Sequence, residues 1–140
     1  LHMLRDGRDV VASYIEKGHT LDDAVQRWRV SVQQAARLER KLPAGQFLRV
    51  RYEDLVAEPE TSLKAIATFA GIPYSTDMLD YWKAHTTIEH KFYGKIHENL
   101  SRPVFTSSIG RWRERLRSDQ QRTIVQQLGP MLQAAGYSQE

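Results

Sequence analysis

Leu1-His2-Met3-Leu4-Arg5-Asp6-Gly7-Arg8-Asp9-Val10-Val11-Ala12-Ser13-Tyr14 decides how the rest of this chain is read. Leu1 to Leu4 are a short apolar run of strand character. Arg5 to Arg8 place two guanidiniums around a glycine, and an apolar helical period starts at Val10 with Asp9 in the N-cap position. Strand, turn and helix in that order make an anion site at a helix start. The first-turn N–H groups and the positive end of the helix dipole face it, and a guanidinium adds a bidentate hydrogen bond to phosphate. Ser13, one turn past Asp9, brings a hydroxyl to the same end of the helix.

Working outward, Gly18 ends the first helix, and Thr20 with Asp23 starts a second. Leu21, Ala24, Val25, Trp28, Val32, Ala35, Ala36 and Leu38 carry its period to Leu42, where Pro43 and Gly45 stop it. Trp28 lies on the apolar stripe and reads as a core aromatic. Residues 46–52 alternate in the manner of a strand, with Phe47, Leu48, Val50 and Tyr52 set against Arg49 and Arg51. Glu58-Pro59-Glu60 then opens a helix bearing Leu63, Ile66, Ala67 and Phe69, closed by Gly71. A short helix is expected over Thr76–Trp82. Periodicity is lost from His85 to Ser108, and a stretch of that length is expected to be a loop. His85, His90 and His97 in it match no metal-ligand spacing, so no metal site is expected. A last helix carries Ile124, Val125, Leu128, Met131 and Leu132, with an interruption expected at Gly129-Pro130.

Composition sets the bounds. The chain has 140 residues, 41% hydrophobic and 26% charged, which suits one globular domain with a core of its own. A net charge of +3 favours an anionic ligand. Cysteine is absent, which excludes disulfides and thiolate chemistry and makes a cytoplasmic location the expectation. No apolar run is long enough to span a membrane. Leu1 opens inside a strand with no preceding turn, so the chain is expected to be the C-terminal portion of a larger domain.

Three segments carry a family resemblance. Arg5-Asp6-Gly7-Arg8-Asp9 followed by Ser13 resembles the 3′-phosphate-binding motif of sulfotransferases that use 3′-phosphoadenosine 5′-phosphosulfate (PAPS). Arg51-Tyr52-Glu53-Asp54-Leu55 resembles the segment that follows a sheet strand in the same family. Ser101-Arg102-Pro103-Val104-Phe105-Thr106-Ser107-Ser108-Ile109-Gly110-Arg111-Trp112-Arg113 resembles its second 3′-phosphate segment, in the form seen in bacterial sulfotransferases of the tyrosylprotein type. Phe105-Thr106-Ser107 replaces the Arg-Lys-Gly triplet of the cytosolic small-molecule enzymes. Ser107, Ser108 or backbone amides are expected to stand in for it.

The resemblance implies an α/β fold, helix-rich, being the C-terminal portion of a P-loop-like three-layer domain with a parallel sheet over residues 1–140. It implies sulfuryl transfer from PAPS to a hydroxyl or amine of a small-molecule, glycan or peptide acceptor. Arg5 and Ser13 would hold the 3′-phosphate, Tyr52 would flank the nucleotide, and Arg111, Arg102 and Ser108 would complete the donor side. The catalytic residues are expected upstream of Leu1, so the chain alone is expected to be inactive. Two other classes are weighed. A P-loop kinase-like nucleotide-binding fragment would prefer ATP-Mg²⁺ to adenosine 3′,5′-bisphosphate (PAP). A non-catalytic nucleic-acid-binding module would use the arginine-rich segment near Arg113, Arg115 and Arg117, but that segment lacks interleaved aromatics for base stacking. Neither a nucleic-acid partner nor a membrane is therefore expected.

Overall fold

A computed structural model describes residues 1–84 and 103–138. These fall into two compact units, residues 1–51 with 107–138 and residues 52–84 with 103–106. In the first unit the chain runs β1 (His2–Leu4), α1 (Gly7–Glu16), α2 (Leu21–Lys41) and β2 (Arg49–Arg51). In the second it continues as α3 (Tyr52–Ala57), α4 (Pro59–Ala70), a 3₁₀ turn (Thr76–Asp80) and α5 (Tyr81–Ala84). It closes, back in the first unit, with α6 (Trp112–Arg115) and α7 (Ser118–Ala134).

β1 and β2 pair in parallel, His2 opposite Arg49 and Leu4 opposite Arg51. Parallel strands need a long crossover, here supplied by α1 and α2. The result is the expected helix-rich α/β arrangement with a parallel sheet. Its core joins Leu4 of β1 and Val11 and Ala12 of α1 to Ala24, Val25 and Trp28 of α2. Trp112 and Leu116 complete it with Ile124, Leu128 and Leu132 of α7 and Tyr137 beyond. In the second unit, α3 lies against α4 and the 3₁₀ turn against α4 and α5, with Val56 and Ala67 buried.

Several boundaries differ from those expected. α1 starts three residues early: its N-cap is Asp6, whose carboxylate accepts from the Arg8 amide at 2.8 Å, not Asp9. The strand expected over 46–52 is ordered only at Arg49–Arg51, and Tyr52 already begins α3. The expected short helix over 76–82 is divided into the 3₁₀ turn and α5. α7 runs without a break through Gly129-Pro130. Pro130 is exposed, and the carbonyl that loses its helical donor belongs to exposed Gln126. Fully buried Leu128 and Leu132 on the opposite side hold the turn together. Other signals fall as read: Thr20 caps α2 through the Asp23 amide at 3.2 Å, and Gly71 ends α4 at φ +69°. His85, His90, His97 and Arg102 lie outside the described residues.

His2 gives the first unit a pH dependence. Its ring stacks on Phe47 at 6.4 Å, and its buried Nδ1 has no hydrogen-bond partner among the described residues. Burial, and then the Arg49 guanidinium, hold its pKa below the ordinary 6.5. A histidine whose pKa is depressed on folding contributes stability that is present above its unfolded pKa and lost as pH falls through the folded one. Thermal midpoints measured on the acid side of 6.5 are therefore expected to fall less steeply in His2→Phe than in the wild type. An identical slope in both would show that His2 stays protonatable in the folded chain.

Candidate functional site

The site grows from the turn between β1 and α1. Trp28, reaching in from α2, shapes it from below: its Nε1–H donates to the Arg5 carbonyl at 3.0 Å. The indole also lies flat against Gly7, where a Cβ would come within 2.9 Å of the ring. That contact is shorter than carbon atoms tolerate, so the glycine between the two arginines is demanded by packing.

The two guanidiniums then separate in role. Arg8 is buried and turned inward. Its Nη2 donates to Asp6 Oδ2 at 2.8 Å and its Nε to Asp6 Oδ1 at 3.1 Å, while its Cζ stands 4.2 Å from the Trp112 ring centroid. The expected anion site therefore has one guanidinium fewer than the sequence suggests. The α1 start, moreover, is capped by a carboxylate instead of standing open to a ligand. Arg5 is the half-exposed member of the pair, and its Nη2 donates to the Ser108 carbonyl at 2.7 Å.

Asp9, freed from capping α1, reaches across to the segment leading into α6. Its Oδ2 accepts from the Gly110 amide at 2.7 Å and its Oδ1 from the Trp112 amide at 2.9 Å. These are the amides on either side of Arg111. Burial raises the pKa of Asp9 above the ordinary aspartate value. The two amides, and the nearby Arg5 charge, oppose that rise.

A half-exposed guanidinium at the end of a parallel strand, followed directly by a hydroxyl-bearing helix, suits a phosphate or sulfate ester. Comparison with known proteins agrees. The family description "Sulfotransferase family" matches residues 1–76, more than half of the chain.

The chain belongs to the sulfotransferase family.

Among curated relatives, a protein-tyrosine sulfotransferase of Drosophila melanogaster is 24% identical over 98% of the chain and 30% of its own length. A protein-tyrosine sulfotransferase 2 of Gallus gallus is 26% identical over 98% of the chain and 40% of its own length. The chain thus spans less than half of either relative. Among solved structures, the sulfotransferase domain from the Synechococcus PCC 7002 olefin synthase superposes with a TM-score of 0.70 at 22% identity. It covers 91% of this chain and 46% of that one, and it speaks to the sulfotransferase fold.

Within this member of the sulfotransferase family the residues expected from the sequence are distributed unevenly. Arg5 donates to the Ser108 carbonyl, and Asp9 on α1 holds the backbone amides on either side of Arg111. Ser13 is half-buried in the second turn of α1, four residues beyond Asp9 and so on the same helix face. It stands about 9 Å along the axis from Gly7 at 1.5 Å per residue, further from the helix start than a cap at Asp9 implies. Tyr52 is the first residue of α3 and belongs to the second unit. Of the amides expected to replace the missing triplet, those of Gly110 and Trp112 are already taken by Asp9. Asp9 is the residue whose contacts sequence reasoning missed. The signal for it is Arg111 itself, which sits at the α6 N-cap without a side-chain oxygen to accept from the turn.

Among the described residues no group of acidic and histidine side chains could hold a metal ion, and no helix is long and apolar enough to cross a membrane.

Proposed function

We propose that this chain supplies the 3′-phosphate and nucleotide side of a PAPS site in a sulfotransferase acting on a hydroxyl or amine acceptor. The observation that carries the reading is the convergence of Arg5 and the Ser108–Arg111 segment beside α1, in a chain of the sulfotransferase family. Arg5 and Ser13 engage the 3′-phosphate, and Arg111 brings a second positive charge to the donor. In the reaction the acceptor oxygen or nitrogen forms a bond to sulfur as the bond from sulfur to the 5′-phosphate oxygen breaks, and the acceptor proton passes to a base. The residues named here anchor the far end of the donor, and that binding energy holds the phosphosulfate in line for attack. The curated relatives are named for tyrosine, and another, from Mus musculus, for carbohydrate. A peptide, glycan or small-molecule hydroxyl is accordingly the acceptor class to assay first.

Titration with PAP and adenosine 5′-phosphate tests the donor side, because only PAP carries the 3′-phosphate. A charge-assisted hydrogen bond is worth about 1.5–3 kcal/mol, so Arg5→Ala is expected to weaken PAP about 10- to 100-fold. Adenosine 5′-phosphate is expected to stay within about twofold. Equal losses for the two nucleotides would remove Arg5 from the 3′-phosphate site.

A further inference from the structure

We infer that Asp9 is a positioning residue for the donor site, gripping the backbone on both sides of Arg111 so that this guanidinium is presented in one place. The inference rests on the donor reading above for what Arg111 meets; the grip itself is in the geometry.

Three observations carry it. The two carboxylate oxygens are divided between the Gly110 and Trp112 amides, at 2.7 and 2.9 Å, so Arg111 is bracketed by charge-assisted hydrogen bonds. Nothing local replaces them. Arg111 holds the N-cap position of α6 with no side-chain cap, and α6 is a single turn, too short to order itself. The segment is also tied down at its other end, where Arg5 donates to the Ser108 carbonyl at 2.7 Å. A carboxylate this close to a phosphate site would ordinarily repel the ligand. Asp9 is 3% exposed and both of its oxygens are engaged by amides, so its charge is directed into the protein. The same engagement withdraws those two amides from the ligand and leaves the anion to the guanidiniums. On this reading, preference for a 3′-phosphate depends on a residue that does not touch it.

The test is a double-mutant cycle in the protein, with PAP and adenosine 5′-phosphate as probes. Asp9→Asn keeps the shape but sets an NH₂ against one of the two amides. It is expected to weaken PAP about tenfold, with adenosine 5′-phosphate held within about twofold, and to change PAP affinity by less than about twofold once Arg111→Ala is present. A tenfold loss in both backgrounds would overturn the inference, as would equal losses for both nucleotides. Gly110→Ala disturbs the same grip from the other side, because Gly110 has φ +74°, and it leaves Asp9 and Arg111 in place. It is expected to lower the preference for PAP in the same direction, and an undiminished preference would count against the grip. Should the donor reading itself fail, the wild type would bind both nucleotides alike. Amide hydrogen exchange at Gly110 and Trp112, the two amides that donate to Asp9, then decides the matter: exchange about tenfold faster in Asp9→Asn is expected, and unchanged exchange would overturn the positioning.

Discussion

Asp6→Ala is expected to lower the stability of the first unit by about 3–5 kcal/mol, the cost of removing one partner from a buried ion pair. Arg8 is 3% exposed and its guanidinium donates to the Asp6 carboxylate from both Nε and Nη2, so it cannot recover its lost partner by turning to water. The same carboxylate is the α1 N-cap, and losing a cap costs about 0.5–2 kcal/mol on its own. Asp6→Asn separates the two contributions. It keeps an oxygen for the Arg8 amide, gives up the charge and sets an NH₂ against the Arg8 Nη2, and is expected to be milder than alanine by about 1 kcal/mol. Adding Arg8→Met to Asp6→Asn should restore much of the loss, since a buried pair exchanged for apolar volume is often neutral. Denaturant unfolding of the three variants checks this. An Asp6→Ala chain within about 1 kcal/mol of wild type would show that Arg8 is not held as an internal ion pair.

This pairing also marks the limit of what the sequence could say. Arg-Asp-Gly-Arg-Asp offers two aspartates, and local rules favour the one directly before the apolar period, so Asp9 is read as the cap. The choice is settled elsewhere. Asp9 is claimed by amides 101 and 103 residues away, and Arg8 by a ring on α6, contacts that no local pattern encodes. Features that depend on neighbours in sequence were legible: the Thr20 cap, the left-handed stop at Gly71 and the apolar stripe that carries Trp28. Pro130 fails for the opposite reason. Its local penalty is real, but Leu128 and Leu132 are fully buried on the other side and keep the helix whole. The candidate site shows the same division. Arg5 follows from its turn, and Arg111 from a family resemblance. What links them is tertiary: the Ser108 carbonyl, the Asp9 carboxylate and Trp28 beneath Gly7.

Trp112→Ala is expected to destabilise the chain by about 3–5 kcal/mol, and Trp112→Phe by less than about 1.5 kcal/mol. The indole is 6% exposed and belongs to the same core as Leu116, Ile124 and Leu128, so alanine would leave a cavity that fixed helices cannot close. It also removes the face on which buried Arg8 rests at 4.2 Å, a contact worth about 2 kcal/mol when desolvated, and on which exposed Arg113 rests at 4.5 Å. Phenylalanine keeps an aromatic face for both cations. What it gives up is ring area and the Nε1–H, and the latter has no hydrogen-bond partner among the described residues. An unpaired buried donor is a cost to the native state, so deleting it offsets part of the lost packing. The Trp112 amide still reaches Asp9 whatever the side chain, and Trp112→Phe is accordingly expected to leave PAP affinity within about twofold while stability falls only slightly. Calorimetric unfolding and PAP titration of the two variants read these outcomes directly. A phenylalanine variant as unstable as the alanine one would mean that the core requires the full indole volume and not merely an aromatic face.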